Sequence, residues 1–178
     1  VIYGYAAVGN GQELNIEKGS RIHFHNNSGL IVTSGGSIKA NGEFSQNQGL
    51  ENEIIFEGDR LEPFFENIPG QWGTIWLLDG SIENEFSFCT IKNASVGIYT
   101  TGGGNNIEYK LDLSNVQIYN SSNFGILSLS SSIDAENLVI NKSGQASFAG
   151  TYGGKYRLNH CTISVSYTHL RAHETKRN

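Results

Sequence analysis

The sequence predicts an all-β fold, a single-stranded right-handed parallel β-helix (a solenoid) of about five to seven turns that is truncated at both ends. Three observations predict it. Short apolar segments recur in the same order along the chain, corners rich in Gly and Asn separate them, and no segment keeps the 3.6-residue period of a helix. We therefore expect a stack of short strands and almost no helix.

An apolar segment whose first and third residues point inward marks the first strand of each repeat. Such segments occur at residues 22–24, 54–56, 89–91, 116–118, 138–140 and 161–163. Their third residues are 32, 35, 27, 22 and 23 positions apart, and the two shortest spacings are typical of one turn of a solenoid. The longer spacings indicate loops inserted into turns that are otherwise alike.

Two further strands complete each repeat. The second strand has a leading Gly, at residues 29–32, 73–76, 97–99 and 125–127, and the third lies at residues 37–39, 111–113, 133–135 and 156–158. The corners after the first strand read HNNS (25–28), KNAS (92–95), YNSS (119–122) and NKSG (141–144). Asn tolerates the left-handed backbone that such corners need, and stacked Asn side chains can hydrogen-bond along the axis. Residues 14–20 fit a strand and turn that lead into the first repeat.

Period-2 alternation in these strands turns one face of each strand toward the axis. One turn cannot bury that face alone, whereas stacked turns build a continuous apolar column. We expect Ile91, Ile118, Ile140 and Ile163 to form one vertical file inside this column. An antiparallel β-sandwich is the alternative, and it accounts for the corners but not for equivalent motifs that recur in the same order.

Charge and hydropathy narrow the classes of partner. The net charge is −5 at pH 7, and phosphate binding needs a basic surface, so nucleic acid is not expected as a partner. No apolar run approaches the ~18 residues that a membrane span needs, so no span is expected in this chain. These properties leave the oligomeric state open.

The chain divides into one domain and a tail. We expect residues 1–164 to form the β-helix, with an inserted loop at residues 57–72. Residues 165–175 (VSYTHLRAHET) resemble the translation of an adapter used in library sequencing, so residues 165–178 are expected to lie outside the fold. The chain contains no Met, and we expect it to be an internal fragment that has lost its native start and any signal or lipid anchor.

The cysteines and histidines predict neither a disulfide nor a metal site. Cys89 and Cys161 occupy equivalent positions three turns apart, about 14 Å at ~4.8 Å per strand, whereas a disulfide needs Cα atoms within ~7 Å. Both are expected to be small apolar residues of the interior stack. His23 and His25 alternate on one strand and face solvent together, but the sequence places no third ligand near them. No cofactor is predicted.

The inserted loop is the predicted ligand site. It breaks the repeat and combines carboxylates with aromatic rings, which suits a sugar because carboxylates accept hydrogen bonds from hydroxyls and flat rings cover C–H faces. The predicted ligand-binding residues are Glu57, Asp59, Arg60, Glu62, Phe64, Phe65 and Trp72. The structural alternative is that charged pairs hold the loop while its rings cover a strand edge.

Catalysis has three candidate carboxylates but no assigned residue. A glycan hydrolase needs carboxyl groups that converge on one face of the column, and the candidates are Asp59, Glu62 and Asp79, with Arg60 as a charge stabiliser. Asp79 has a simpler explanation as a turn residue. The Gly-rich stretch at residues 100–106 lacks the Lys and the following helix of a phosphate loop, so no nucleotide site is predicted.

Two runs of sequence resemble a known family. GDRLEPFFENIPGQWGTIW (residues 58–76) and CTIKNASVGI (residues 89–98) resemble right-handed β-helix repeat proteins that are surface-associated, often as lipoproteins, in host-associated Gram-negative bacteria. The resemblance covers about residues 10–164. It implies an extracellular or outer-membrane-surface location and no settled activity. The Asn-Thr-Asp, Asp-Asp and Gly-His-Gly motifs of polygalacturonases, which share the wider fold, do not occur here.

Three functional hypotheses follow from these observations. The first is a non-catalytic cell-surface β-helix that presents loops for binding to glycans or other surface ligands. The alternative is a polysaccharide lyase or glycoside hydrolase of the β-helix type, and a further alternative is a structural spacer or adhesin stalk. The fold alone does not choose among them, because the same fold hosts unrelated functions.

Overall fold

A computed structural model describes residues 1–47, 49–104 and 108–164, which form an all-β, parallel solenoid of about six turns. The strands are β1 (Tyr5–Val8), β2 (Glu13–Ile16), β3 (Arg21–Phe24), β4 (Gly29–Val32), β5 (Ser37–Asn41), β6 (Ile54–Gly58), β7 (Ile75–Leu77), β8 (Asn84–Lys92), β9 (Val96–Thr101), β10 (Leu111–Ser121), β11 (Phe124–Ser143), β12 (Ala146–Asn159) and β13 (Thr162–Ile163). A 3₁₀ turn spans Pro63–Phe65. The predicted parallel β-helix is confirmed.

Three parallel sheets run along the axis of the solenoid. The first sheet contains β3, β6 and β13 with the C-terminal parts of β8 and β10 and the following part of β11. The second contains β1, β4, β7 and β9 with the N-terminal parts of β11 and β12. The third contains β2, β5 and the remaining parts of β8, β10, β11 and β12. Residues two apart on one strand therefore share a face of one sheet.

The core is a single apolar column. In the first sheet Ile91 pairs with Ile118, Ile118 with Ile140, and Ile140 with Ile163. The first three side chains are fully buried, whereas Ile163 is 40% exposed because it belongs to the last described coil. The predicted vertical file is confirmed, and the parallel pairing excludes the antiparallel sandwich.

The register of the first repeat differs from the prediction. The sequence alignment placed residues 22–24 beside residues 54–56, but Ile22 pairs with Phe56 and Phe24 pairs with Gly58. A shift by two residues keeps the same side chains facing inward, so the apolar pattern does not distinguish the two registers.

The corner between the first and second sheets contains left-handed residues, as predicted. Asn27, Asn93, Asn120 and Lys142 have φ angles of 58°, 63°, 62° and 55°. Asn120 Nδ2 donates a hydrogen bond to Asn93 Oδ1 at 2.5 Å. This is the predicted bond between stacked Asn side chains along the axis.

A second corner of this kind lies between the third and first sheets and was not predicted. Phe88, Asn115, Asn137 and His160 all have positive φ angles there. Asn137 Nδ2 donates to Asn115 Oδ1 at 2.6 Å. One left-handed residue per coil thus turns β8, β10 and β11 from one sheet into the next without ending the strand.

Both cysteines are free, as predicted. Cys89 pairs with Val116 and Val116 with Leu138, and the next pairing, Val139 with Thr162, places Cys161 beside Leu138. Cys89 is buried and Cys161 is partly buried against the core. Burial raises the pKa of the Cys89 thiol to about 12, so this thiol is an interior packing group.

Gln48, residues 105–107 and residues 165–178 lie outside the described residues. The separation of the 165–178 tail from the fold therefore stays a prediction, as does the interpretation of the Gly-rich stretch beyond residue 104. No helix formed by the described residues is long and apolar enough to cross a membrane.

Candidate functional site

The inserted loop is fixed by side-chain hydrogen bonds to its backbone. It leaves β6 and forms the 3₁₀ turn at Pro63–Phe65. Gln71 Nε2 donates to the Phe65 carbonyl oxygen at 2.6 Å, and Asn93 Nδ2 from the following coil donates to the Glu66 carbonyl oxygen at 3.0 Å. The loop therefore has a defined shape against the column.

Trp72 at the end of this loop is a core residue. It is 1% exposed, and its ring stacks on that of Phe24. Its Nε1 donates to the carbonyl oxygen of Lys92 at 2.9 Å. A buried indole offers no face to a ligand, so the binding role predicted for Trp72 is corrected to a packing role.

The first two carboxylates of the predicted site already face basic side chains. Glu57 Oε2 lies 2.6 Å from Lys92 Nζ, and Glu57 Oε1 lies 3.6 Å from His23 Nδ1. Asp59 Oδ2 lies 2.7 Å from His25 Nδ1. The two histidines therefore lie on the outer face of β3 and its following corner, where each faces a carboxylate.

The outer part of the loop forms a small exposed cluster. Arg60 Nη2 lies 3.2 Å from Glu62 Oε1, and the Arg60 guanidinium lies 4.0 Å from the centroid of the Phe65 ring. Phe64 is 79% exposed and meets Phe65 edge-on. A ligand role for these four residues stays a prediction.

The three candidate catalytic carboxylates lie in different parts of the molecule. Asp59 follows β6 of the first sheet, whereas Asp79 follows β7 of the second sheet and lies against Gly102. Glu62 is paired with Arg60 in the loop. The width of the second sheet separates Asp59 from Asp79, so the fold does not bring the three together on one face.

A groove of about 680 Å³ lies along the outer face of the third sheet. Four successive coils each contribute one charged, outward-facing residue to its lining. A fifth charged residue, on β5, lies next to the first of these four. In order along the axis these residues are Lys39, Glu85, Asp112, Asp134 and Arg157, each beside the next. We call them the charged row.

A second set of side chains, two positions further along the same strands, also lines the groove. In order along the axis these residues are Asn41, Ser87, Ser114, Glu136 and Asn159. We call them the polar row. Ser87 Oγ donates to Asn41 Oδ1 at 3.1 Å. The groove therefore presents carboxylates, amides and hydroxyls from regular strands, which hold them more rigidly than a loop would.

The two cations of the charged row are paired with carboxylates of the same row. Lys39 Nζ lies 2.5 Å from Glu85 Oε1. Arg157 binds Asp134 through two bonds, one from Nε to Oδ1 at 2.6 Å and one from Nη2 to Oδ2. The hydrogen bond from Lys39 lowers the pKa of Glu85, and the hydrogen bond to Asp134 raises the pKa of Arg157. The charges of Glu85 and Asp134 are therefore compensated within the protein.

Asp112 lies between these two ion pairs and has no cation of its own. Within the described part of the chain it forms neither an ion pair nor a side-chain hydrogen bond, and the same holds for Glu136 in the polar row. Partial burial raises the pKa of Asp112, and the charges of Asp134 and Glu85 raise it further, against a smaller lowering by Lys39 and Arg157. The middle of the groove therefore carries uncompensated negative charge.

The sequence contains a signal for this groove. Residues 111–113, 133–135 and 156–158 were aligned as equivalent strands, and their central residues are Asp112, Asp134 and Arg157. A charged residue repeated at an outward position of adjacent coils indicates a charged surface row. Glu85 precedes a coil of different length, so its place beside Asp112 is not evident from the sequence.

Comparison of the chain with protein-family models, curated proteins and solved structures gave no match. The resemblance to surface-associated β-helix repeat proteins therefore stays a prediction, while the solenoid itself is established. Within residues 1–47, 49–104 and 108–164, no group of three or more His, Cys, Asp or Glu side chains is placed to hold a metal ion.

Proposed function

We propose that this β-solenoid is a non-catalytic glycan-binding protein whose ligand lies along the groove of the third sheet. The observation that carries the proposal is the charged row, whose five residues lie side by side over four strand spacings, about 19 Å at ~4.8 Å each. Together with the polar row, these side chains can exchange hydrogen bonds with successive hydroxyl groups of an extended ligand.

The groove supports binding better than the inserted loop does. In the loop, Glu57 and Asp59 already face cations or histidines and Trp72 is buried. In the groove, Asp112 and Glu136 keep their acceptor oxygens available to a ligand. The proposed binding surface therefore lies on the third sheet and not on residues 57–72.

An extracellular or outer-membrane-surface location belongs to the same proposal. It is supported by the resemblance of residues 58–76 and 89–98 to surface-associated β-helix proteins. Protease treatment of intact producing cells tests it, since a surface protein is digested while an internal marker survives. Survival of the protein alongside the marker would contradict the proposed location.

A glycan array followed by titration calorimetry on the purified chain tests the binding. For an oligosaccharide that binds on the array, Asp112→Asn and Glu136→Gln should each lower the affinity about tenfold, because hydrogen bonds to charged acceptors contribute ~1.5–3 kcal/mol. Glu66→Gln removes an equal charge from an exposed side chain outside the groove and should leave affinity unchanged. Circular dichroism of each variant confirms that the fold is intact.

The outcomes separate the three hypotheses. An array without binding above background would contradict the proposal and favour a structural spacer. Loss of affinity in Phe64→Ala and Glu62→Gln, with none in Asp112→Asn, would show that the ligand binds to the inserted loop and not to the groove. Weakening in both groove variants supports the groove.

Glycoside hydrolysis is a second candidate function, favoured by one observation. Asp112 and Asp134 are adjacent carboxylates in different environments, since Asp134 is paired with Arg157 while burial raises the pKa of Asp112. Such a pair can divide the roles of proton donor and base. Release of reducing ends from a bound polysaccharide, lost in Asp112→Asn, would establish hydrolysis, whereas binding without release supports the non-catalytic function.

A further inference from the structure

The charge distribution of the groove narrows the class of glycan. We propose that the ligand is a polymer of amino sugars whose free amines are protonated, and that polymers of uronic acids are excluded. This inference rests on the proposed function, because it names the ligand class of the same groove.

Both cations of the charged row already face a carboxylate of the protein. Lys39 is paired with Glu85, and Arg157 holds Asp134 through two hydrogen bonds. A uronate that approached either side chain would share its positive charge with Glu85 or Asp134. It would also bring another negative charge into a groove whose carboxylates already outnumber its cations.

The uncompensated carboxylates favour a cationic ligand. Asp112 lies directly between Glu85 and Asp134. Partial burial and the charges of these two neighbours outweigh the attraction of Lys39 and Arg157, so the pKa of Asp112 is raised and its ionised form is disfavoured. An ammonium group beside Asp112 would offset this repulsion and donate charge-assisted hydrogen bonds. A carboxylate in the same place would add to the repulsion, and like-charge contacts of this kind reject the wrong partner.

The two unpaired carboxylates lie on neighbouring coils. Asp112 belongs to β10, whereas Glu136 belongs to β11, one coil further along the axis and two positions further along the strand. A ligand that meets both must extend across at least two coils. The proposed ligand is therefore an oligomer with several amines, and a single amino sugar should bind more weakly because it cannot contact both carboxylates.

Three hexasaccharides of equal length serve as probes: glucosamine, N-acetylglucosamine and galacturonic acid. Titration calorimetry at about pH 6 and low salt should give the tightest binding for the glucosamine hexamer, whose amines are charged, and no binding for the galacturonic acid hexamer. Raising the salt from about 50 to about 500 mM should weaken the glucosamine hexamer, because screening weakens exposed charge pairs.

Two variants should change affinity in opposite directions. Asp112→Asn should weaken binding of the glucosamine hexamer about tenfold. Arg157→Gln, which frees the charge of Asp134, should instead strengthen binding about fivefold. The control Glu66→Gln changes the net charge as Asp112→Asn does but lies outside the groove, and it should have no effect. If hydrogen bonding alone fixed the affinity, both groove variants would weaken it.

The failures of the two proposals are distinguishable. Equal binding of the acetylated and free hexamers, or binding of the galacturonic acid hexamer, would overturn the charge inference and leave glycan binding intact. Equal losses of affinity in Glu66→Gln and Asp112→Asn would also overturn it, since the net negative charge of the protein would then be enough to explain binding of the glucosamine hexamer. An absence of binding to the whole glycan array would remove the proposed function itself.

Discussion

The ring of Phe24 lies over the indole of Trp72, with centroids 4.2 Å apart and planes 11° apart. Both residues are buried, and Phe24 belongs to the first sheet while Trp72 ends the inserted loop. The stack therefore fixes the returning end of the loop inside the column. It also explains why the loop can be long without loosening the coil that contains it.

Trp72→Ala should destabilise the protein by about 3–5 kcal/mol, because it leaves a large cavity beneath Phe24. Urea denaturation followed by circular dichroism measures the loss. Phe64→Ala, which truncates an exposed ring of the same loop, is the matched control and should change the unfolding free energy little. Equal stability of the Trp72 variant and the wild type would show that the ring does not contribute to the core.

Asn120 contributes both its left-handed backbone and a hydrogen bond to Asn93. Asn120→Ala should cost about 2 kcal/mol, since Ala is disfavoured by roughly 1 kcal/mol at this φ and the hydrogen bond contributes about another. Asn120→Gly tolerates the backbone and should cost about half as much. Equilibrium unfolding of the two variants separates the contributions, and equal losses would assign the whole effect to the side chain.

Lys110 is a buried amine that donates to the carbonyl oxygens of Leu78 and Thr101. Burial lowers its pKa from 10.5 to about 8, partly opposed by Asp79. Folding is therefore less favourable when the amine is charged. This loss of unfolding free energy disappears as the pH rises from about 8 to 10.5, because the amine loses its proton more readily in the folded state. The wild type should gain stability relative to Lys110→Met across this range, as measured by urea denaturation at several pH values. A constant difference would show that the pKa is not lowered.

Asp112→Asn should stabilise the protein near neutral pH. Because the folded state raises the pKa of Asp112 above its ordinary 3.8, the ionised form costs stability above that range, and protonation removes the cost as the pH falls. The side chain is largely exposed, so a gain of a few tenths of a kcal/mol is expected. Thermal unfolding at about pH 7 and pH 3 measures it, and a gain that persists at the lower pH would contradict this origin.

The repeat was readable from the sequence because each coil contains the same inward pattern. Ile91, Ile118, Ile140 and Ile163 follow at spacings close to one turn, and their file exists as expected. The register of Ile22 could not be read in the same way. Alternation fixes which face a side chain occupies but leaves shifts of two residues equally good, and only the packing of the coil decides among them.

The candidate site was harder to predict than the fold. Aromatic and charged residues in the loop suggested a ligand surface, but the sequence does not show that Trp72 packs inward on a residue almost fifty positions earlier. The groove depends on Asp112 and Asp134 being neighbours, and the alignment of residues 111–113 with 133–135 predicts that pair. Lys39 and Glu85 join the row only in the stacked coils, because loops of unequal length hide their equivalence in the sequence.

The 22 positions from Leu111 to Ile133 amount to one complete coil. Duplication of such a unit in the gene would add one strand to each sheet and extend the groove by about 4.8 Å, without disturbing the pairing of the other coils. Insertion of a single residue within a strand would instead turn every side chain beyond it toward the opposite face. The length of the groove can therefore change in evolution only in steps of one whole repeat.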